Sequence, residues 1–175
     1  PDGRHRRVEH DGRPDGSALL GRVGVSDLSA TALQHPTEMS RLEAQHARRF
    51  TFTRDGAVVG AEAVHLEGAG DRAVLLIHGF NDTPQSMAYL AASMHRAGWT
   101  ALAPRLSGHG VSLSRMAREA RAASWRAELA QAYAQLRRDH EHVMVCGQSM
   151  GGALAVLLAA DLNDLQSLVL LAPYV

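Results

Sequence analysis

The pattern of apolar and polar positions changes after the first fifty residues of the chain. In residues 1–35 glycine is mixed with arginine and aspartate, and little apolar periodicity is visible. This composition predicts a flexible N-terminal extension over residues 1–47, with a short helix over residues 36–48. Residues 50–53 then alternate as a strand does, and Asp55-Gly56 is a favoured two-residue turn. An antiparallel hairpin with residues 58–65 is therefore expected.

Four short apolar runs follow, and each has the pattern of a strand that is covered on both faces in a parallel sheet. They are residues 73–77, 100–103, 143–146 and 168–171. Segments with helical periodicity separate them. This alternation predicts an α/β domain over residues 48–175, with a mostly parallel sheet and helices on both faces.

Three helices are predicted between these strands. The first begins with Thr83 as N-cap and Pro84 as its first residue, and it ends at Gly98. The second begins at a Ser124 cap, and the third covers residues 151–162, which are apolar on most sides and predict a buried helix. The apolar stripes of the first two helices are Met87, Leu90, Ala91 and Met94, and Leu129, Ala132, Tyr133 and Leu136.

Composition excludes several classes of protein. Eighteen basic and 18 acidic side chains give a net charge of zero, which argues against a protein that binds nucleic acid by neutralising phosphates. The single cysteine, Cys146, cannot form an internal disulfide, and no apolar run is long enough to cross a bilayer. We expect a cytoplasmic protein without a signal peptide, a metal or a cofactor, and with a small-molecule partner.

One motif joins a predicted buried strand to a predicted buried helix: Gly147-Gln148-Ser149-Met150-Gly151, which has the form G-x-S-x-G. A strand that turns directly into a helix bends sharply, and small residues on either side of the apex let the two elements pack. The Ser149 hydroxyl is then raised at a helix N-terminus, which favours developing negative charge. We interpret Ser149 as a catalytic nucleophile, and an incidental serine in a glycine-rich turn is the alternative.

The loop after the first buried strand begins His78-Gly79-Phe80 and supplies a second part of the predicted site. Attack on an acyl carbon produces an oxyanion that needs two fixed donors. The N–H groups of Met150 and Phe80 are predicted to be those donors. His78 is a candidate general base, but its position at the end of a strand favours a bracing role through hydrogen bonds.

Four segments together resemble an α/β-hydrolase, and the branch they resemble most is that of the bacterial carboxylesterases and monoacylglycerol lipases. The segments are LLIHGF at 75–80, APRLSGHG at 103–110, GQSMGGA at 147–153 and LLAP at 170–173. The resemblance covers residues 48–175. It implies a Ser–His–Asp triad, an eight-stranded sheet whose sixth strand is residues 168–171, and often a cap inserted after that strand.

The chain departs from this pattern after Ser149. The family order is nucleophile, acid, base, but the 26 residues that follow Ser149 include Asp161 and Asp164 and no histidine. Neither the acid nor the base is therefore assigned. We expect the 175 residues alone to be inactive, and to be insoluble or oligomeric because the sixth strand would present an unpaired apolar edge. Activity is expected to return when a downstream segment is restored.

The remaining candidates have simpler interpretations. His109 either lines the pocket or holds its own loop, and the latter is favoured. His140 and His142 are expected at the surface, since no carboxylate or thiol stands at ligand spacing in the sequence. Cys146 is expected to be a small core residue. Four arginines are expected on a solvated face because glutamates are interspersed among them: Arg115, Arg118, Arg121 and Arg126.

Three hypotheses of function follow. The preferred one is a serine hydrolase that cleaves carboxylic esters through an acyl-enzyme on Ser149. The second is an acyltransferase, amidase or peptidase on the same fold, and the third is a non-catalytic hydrolase-like protein. Phe80 beside the nucleophile predicts an uncharged acyl chain of short to medium length, although its ring could instead pack under a cap.

Overall fold

The structure is a computed structural model that describes residues 36–174, and residues from Met39 onward belong to one compact unit. The expected flexibility of residues 1–35 lies outside the described residues, and the domain boundary at residue 47 stays a prediction. Five helices are described: α1 (Pro36–Arg49), α2 (Ala88–Arg96), α3 (Leu113–Glu119), α4 (Ala122–Asp139) and α5 (Met150–Asp161). Five strands alternate with them: β1 (Val64–Leu66), β2 (Arg72–Ile77), β3 (Thr100–Ala103), β4 (His142–Gln148) and β5 (Ser167–Leu171).

The strands form one sheet in the order β1-β3-β2-β4-β5. Strand β1 is antiparallel to β3, and the other pairs are parallel, so the predicted mostly parallel sheet is confirmed. In the central pair, Ile77 of β2 lies opposite Gly147 of β4. The carboxyl ends of these two strands therefore meet at one edge of the sheet, and the loops that follow them are neighbours.

Both faces of the sheet are covered, as the apolar runs predict. Alternate residues of β2 point to opposite faces, because side chains alternate along a strand. Leu75 and Ile77 pack in a cluster with buried residues of α4 and α5, including Leu129 and Leu158. Val74 and Leu76 pack on the other face with residues of the α2 region: Met87 and Ala91.

The C-terminal end of α2 agrees with the sequence, whereas α2 begins at Ala88 instead of Pro84, Thr83 makes no side-chain cap hydrogen bond, and α4 does not begin where predicted. A 3₁₀ turn (Pro84–Met87) precedes α2, with Pro84 at its first position and Thr83 extended before it. Gly98 has φ +85°; its N–H donates to His95 and the Trp99 N–H donates to Met94, which together form a Schellman end. Helix α4 begins two residues before the predicted Ser124 cap, and α3 was not predicted.

The predicted hairpin is present only in part. Phe52 and Val58 form an isolated antiparallel bridge around residues 53–57, in which Gly56 has φ +77°. The returning segment does not continue as a strand over residues 58–65. Its Val59 N–H donates to Thr51 O at 2.8 Å, but its Val58 N–H donates to Gly110 O at 2.8 Å and Ala57 bridges Val111, so it also pairs with the loop after β3. The strand begins only at β1.

Strand β5 is not buried as predicted. Leu168, Val169, Leu170 and Leu171 are exposed, because within residues 36–174 this strand pairs with β4 on one side only. Helix α5 is likewise buried on one side, through Leu154, Ala155 and Leu158, while Val156 and Leu157 are exposed. None of the described helices combines the length and the apolar character that a membrane span needs.

Candidate active site

Ser149 occupies the turn between β4 and α5 in a conformation that non-glycine residues rarely adopt, with φ +52° and ψ −120°. Several backbone hydrogen bonds hold it there. Its N–H donates to Leu171 O at 3.0 Å, and its carbonyl accepts from the N–H groups of Gly152 and Tyr174. Strain of this kind persists where the surroundings fix the backbone, and it is common at functional sites. The sharp strand-to-helix turn predicted from the sequence is therefore present.

The two glycines of the motif are required by the close approach of β4, α5 and β2. A Cβ on Gly147 would lie 2.1 Å from the carbonyl oxygen of Gly151. A Cβ on Gly151 would lie 2.3 Å from the carbonyl oxygen of Ile77 and 2.6 Å from that of His78. Since these neighbours are backbone atoms, no side chain at either position fits without a shift of strand or helix.

The polar atoms around Ser149 are largely free. Ser149 is half-buried, and its hydroxyl has no hydrogen-bond partner among residues 36–174. The N–H groups of Phe80 and Met150 also lack an acceptor in this part of the chain. A Cβ on Gly79 would lie 3.5 Å from the Ser149 Cβ, so the loop that carries the Phe80 N–H passes directly beside the serine.

His78 braces this loop, as its position at the end of β2 indicates. Its side chain is fully buried, and its Nε2 accepts a hydrogen bond from the Leu106 N–H at 3.2 Å. Nδ1 therefore carries the proton and donates to Gly79 O at 2.9 Å. Burial lowers the pKa of His78, which keeps the imidazole neutral. With both ring nitrogens engaged, His78 is not available as a general base.

His109 is buried against the same loop. Its ring lies 4.9 Å from that of His78 and 5.2 Å from that of Trp125, and it meets the Phe80 ring at 90° and 5.8 Å. Neither ring nitrogen has a hydrogen-bond partner among the described residues, and burial lowers the pKa of His109. The loop around it is fixed, since Trp125 Nε1–H donates to Ser107 O at 2.8 Å. His109 both contacts Phe80 and lines a cleft.

That cleft has a volume of about 690 Å³ and adjoins the loop after Phe80. Asn81, Asp82 and His109 line one side, and one face of α1 lines another. The helix predicted over residues 36–48 is present as α1, but its place beside the cleft was not expected, because the sequence assigns this segment to a flexible extension. A contact with a distant residue, the Ser114 N–H that donates to Glu43 Oε1, holds it there and leaves no local signal in the sequence.

Asp82 is a second residue that the sequence analysis missed. A Cβ on Gly79 would lie 3.9 Å from its Oδ2 atom and 3.5 Å from the Ser149 Cβ, so the carboxylate faces the same point of the loop as the serine. Its Oδ1 accepts from the Thr83 N–H at 2.7 Å, which fixes the side chain. In the sequence, the only indication that Asp82 lies near Ser149 is its position four residues after His78, in the loop that also carries Phe80.

The other titratable candidates lie away from this site. His140 is half-buried, not exposed, and its ring nitrogens contact Leu136 O at 2.9 Å and Thr100 Oγ1 at 2.8 Å. His142 is exposed as expected, but the fold brings two carboxylates to it that sequence spacing did not indicate. Potential ligand atoms of His142, Asp71 and Glu141 lie within 4.8 Å of one another, near the amino ends of β2 and β4. This cluster is exposed at the end of the sheet opposite Ser149.

Two further expectations agree with the structure. Cys146 is buried in β4, and burial raises the pKa of its thiol, as befits a core residue. The four arginines are partly or fully exposed, and two of them form ion pairs: Arg115 with Glu119 at 2.6 Å and Arg126 with Asp161 at 2.6 Å. They form no site with Ser149.

A serine with positive φ between a strand and a helix, at the carboxyl edge of a mostly parallel sheet, is typical of α/β-hydrolases. Comparison of the sequence with known families agrees. Residues 68–175 match Hydrolase_4 (serine aminopeptidase, S33), and the chain belongs to this family of α/β-hydrolases.

Known relatives include lipolytic enzymes. The chain is 39% identical over 110 residues to a thermostable monoacylglycerol lipase of Bacillus sp. (strain H-257), which is 63% of this chain and 43% of the lipase. It is 31% identical over 90 residues to a carboxylesterase of Bacillus subtilis (strain 168), covering 51% of this chain and 36% of the esterase. The chain thus spans less than half the length of these relatives.

A solved structure of a metagenome-derived lipolytic enzyme, from a study of LipS and LipT, is similar in both fold and sequence. It superposes with a TM-score of 0.62 at 36% identity and covers 65% of this chain and 46% of that enzyme. A monoacylglycerol lipase from Paleococcus ferrophilus, at 19% identity and a TM-score of 0.55, shares the fold over 63% of this chain and 42% of its own length.

Proposed function

We propose that the protein hydrolyses carboxylic esters through an acyl-enzyme on Ser149. The observation that carries the proposal is the Ser149 backbone at φ +52°, held between β4 and α5 with its hydroxyl free. In this turn the hydroxyl oxygen can attack an acyl carbon while the alcohol leaves; water then cleaves the acyl-enzyme and restores the serine. The named activities of the two Bacillus relatives and of the metagenomic enzyme support the same chemistry.

The proposed oxyanion donors are the N–H groups of Phe80 and Met150. Both lack an acceptor in the described part of the chain, and both lie on loops that start at the ends of the paired strands β2 and β4. Met150 is also the first residue of α5, so the free N–H groups of the helix end add positive potential there. Negative charge that develops on the acyl oxygen would be stabilised by this arrangement.

The general base is not assigned to any described histidine. His78 uses both ring nitrogens in backbone hydrogen bonds, and the ring of His109 is enclosed by three aromatic rings. Neither imidazole is hydrogen-bonded to Ser149 within residues 36–174. Serine is a weak nucleophile without a base, and turnover at Ser149 therefore requires one. None of the described residues is proposed as the acid or the base of the family's triad.

Covalent labelling of the intact protein tests the nucleophile. An alkyl fluorophosphonate probe should modify wild type and the control Ser124→Ala, whose serine is exposed on α4, but not Ser149→Ala. Mass spectrometry should place the adduct on the peptide that contains Ser149. The kcat of Ser149→Ala for a p-nitrophenyl ester should fall by at least about 10⁴-fold. Equal labelling of Ser149→Ala and wild type would rule out the proposal.

Phe80→Ala and Met150→Ala test the donors, because both variants keep the main-chain N–H. We expect each to retain kcat within about tenfold, with the larger change in KM for Phe80→Ala, since its side chain is 59% exposed on the loop whose Gly79 lies next to the serine. A kcat loss as large as that of Ser149→Ala would contradict a main-chain role.

A peptidase or amidase is the second candidate, and the description of the matched family as serine aminopeptidase favours it. Ester and amide cleavage share the nucleophile and the oxyanion, and they differ in the leaving group. Matched substrates, such as the p-nitrophenyl ester and the p-nitroanilide of one acyl group, discriminate between them. A higher kcat/KM for the anilide would transfer the assignment to amide hydrolysis.

A further inference from the structure

His109 contacts the loop that carries the proposed donor Phe80 on both sides of Gly79. Its ring meets the Phe80 ring at 90°, with the centroids 5.8 Å apart, and the His78 ring at 69° and 4.9 Å. Gly79 lies between these two residues in the chain, and a Cβ on it would lie 3.5 Å from the Ser149 Cβ. One buried ring therefore contacts both neighbours of the residue that passes beside the serine.

The side chain of Phe80 is supported from the side of His109. Phe80 is 59% exposed, whereas His109 is 1% exposed, and within residues 36–174 the aromatic contact of Phe80 is with His109. Aromatic rings favour such an edge-to-face arrangement when their centroids are about 4.5–7 Å apart. The Phe80 ring therefore packs on a buried ring while most of its own surface stays exposed.

The loop that carries His109 is itself held at several points. The Trp125 Nε1–H donates to Ser107 O at 2.8 Å, and the Ser107 N–H donates to Glu128 Oε2 at 3.0 Å, so two side chains of α4 hold this loop. The His109 N–H closes a turn on Leu106 O at 3.0 Å. The Trp125 ring also lies 5.2 Å from the His109 ring. The position of the His109 ring is therefore fixed by α4.

His109 acts on this loop through the packing of its ring and not through hydrogen bonds. Neither ring nitrogen has a hydrogen-bond partner within residues 36–174. Burial lowers the pKa of His109, which keeps the ring neutral. A phenyl ring of similar size should therefore reproduce the contacts of His109 without the loss of a hydrogen bond, whereas a methyl group should not.

We propose that His109 is a positioning residue for the oxyanion donor, because it packs against the Phe80 ring and thereby holds the Phe80 N–H in place. The assignment rests on the proposed ester hydrolysis at Ser149, with the Phe80 N–H as a donor. A donor stabilises the transition state only where its N–H points at the developing oxyanion. Gly79 has no side chain to hold the loop and has the widest backbone freedom of any residue type. Support of the next side chain, Phe80, restricts that freedom.

Kinetics of the intact protein with a p-nitrophenyl ester test this role. Loss of a whole oxyanion donor lowers kcat about 10²–10³-fold, and a poorly held donor should lose a part of this. His109→Ala should therefore lower kcat about fivefold and leave KM within about twofold, because the buried ring does not touch the substrate. His109→Phe, which keeps the ring contacts, should have a kcat within about twofold of wild type.

A double-mutant cycle with Phe80→Ala separates positioning from a general loss of structure. If His109 acts through the Phe80 ring, adding His109→Ala to Phe80→Ala should lower kcat further by less than about twofold. The control is Leu136→Ala, which shortens another buried side chain in the last turn of α4. Leu136→Ala should lower the urea midpoint at least as far as His109→Ala does, while its kcat stays within about twofold of wild type.

Backbone amide relaxation measured by NMR reports on the loop without turnover. The order parameter of the Phe80 amide should fall in His109→Ala and keep its wild-type value in His109→Phe and Leu136→Ala. That result in a protein without esterase activity would leave the support of the loop by His109 standing and remove the ester hydrolase. The assignment would be overturned by a wild-type kcat in His109→Ala, by an undiminished loss in the Phe80→Ala background, or by equal losses in His109→Ala and His109→Phe.

Discussion

Gly151 offers the sharpest test of how the strand-to-helix turn is built. It is buried in the first turn of α5, where a Cβ would lie 2.3 Å from Ile77 O and 2.6 Å from His78 O. Both oxygens belong to the end of the central strand β2 and to the loop that carries Phe80. Gly151→Ala therefore forces α5 away from β2, because a flexible side chain is not available to move instead.

The change in the free energy of unfolding caused by Gly151→Ala is the sum of two opposing effects. Replacing glycine by alanine in a helix gains up to about 1 kcal/mol of conformational free energy. Overpacking a rigid interior costs about 1–3 kcal/mol and occasionally more, and contacts below 3 Å with two backbone atoms place this case at or above the upper end. We expect a net loss of about 2 kcal/mol in the free energy of unfolding, which lowers the folding equilibrium constant roughly 30-fold.

Urea unfolding followed by circular dichroism measures the effect. With a slope of about 1–3 kcal/mol per molar urea, the midpoint of Gly151→Ala should fall by roughly 1 M. Gly70→Ala is the matched control, because Gly70 is exposed and its Cβ would meet only Gly98 O, at 3.5 Å. That control should be neutral or slightly stabilising. If Gly151→Ala unfolded at the same urea concentration as Gly70→Ala, the steric account of the motif would be refuted.

Three further predictions concern buried titratable groups. His78→Phe keeps the ring volume but leaves the Leu106 N–H and Gly79 O without their partner, so it should destabilise the protein by roughly 2–4 kcal/mol in urea unfolding. Burial lowers the folded-state pKa of His78 and His109, so their stabilising contribution is present above the unfolded pKa of about 6.5 and is lost as pH falls below it. The urea midpoint should therefore drop from pH 7 to pH 5, and it should drop less steeply in His78→Phe. A midpoint that rose on acidification would contradict the assignment of these histidines as buried and neutral. Cys146 should react with a thiol reagent such as DTNB only after unfolding, since it is buried and burial raises its pKa, and rapid reaction of the native protein would show that β4 is open.

Local physics made the centre of the fold predictable from sequence. Strands β2 and β4 are covered on both faces, so their residues are continuously apolar and the signal lies within a few positions. The turn at Ser149 is also locally encoded, because the close approach of β4, α5 and β2 appears in the sequence as the missing side chains of Gly147 and Gly151. The end of α2 at Gly98 is predictable for a similar reason, since a positive φ favours glycine.

What was missed depends on contacts between distant segments. The Val58 N–H donates to Gly110 O, 52 positions away, and the predicted hairpin is limited to the Phe52–Val58 bridge and the hydrogen bonds beside it. Glu43 accepts a hydrogen bond from the first turn of a helix 71 positions away, which holds α1 against the domain, whereas the sequence predicts a short helix within a flexible extension. Helix α3 did have a local signal, since Ser112 accepts from the Arg115 N–H as an N-cap. A single N-cap serine is a weaker indication of a helix than the four-residue apolar stripe of α4.

The loop that carries the proposed donor Phe80 also packs against the first turn of α5, so the candidate site and the core of the sheet are directly connected. The carbonyl oxygens of Ile77 and His78 lie next to Gly151. The residues that follow them in the chain are Gly79, which lies beside the serine, and Phe80, the proposed donor. The Leu106 N–H donates a hydrogen bond to His78, and the ring of His109, in the same loop after β3 as Leu106, contacts the Phe80 ring. Any change that separates α5 from β2 must therefore also move the Phe80 N–H relative to Ser149. For Gly151→Ala, the loss of kcat should exceed what the unfolded fraction alone explains, and this excess is measurable in buffer without denaturant, where the variant remains mostly folded.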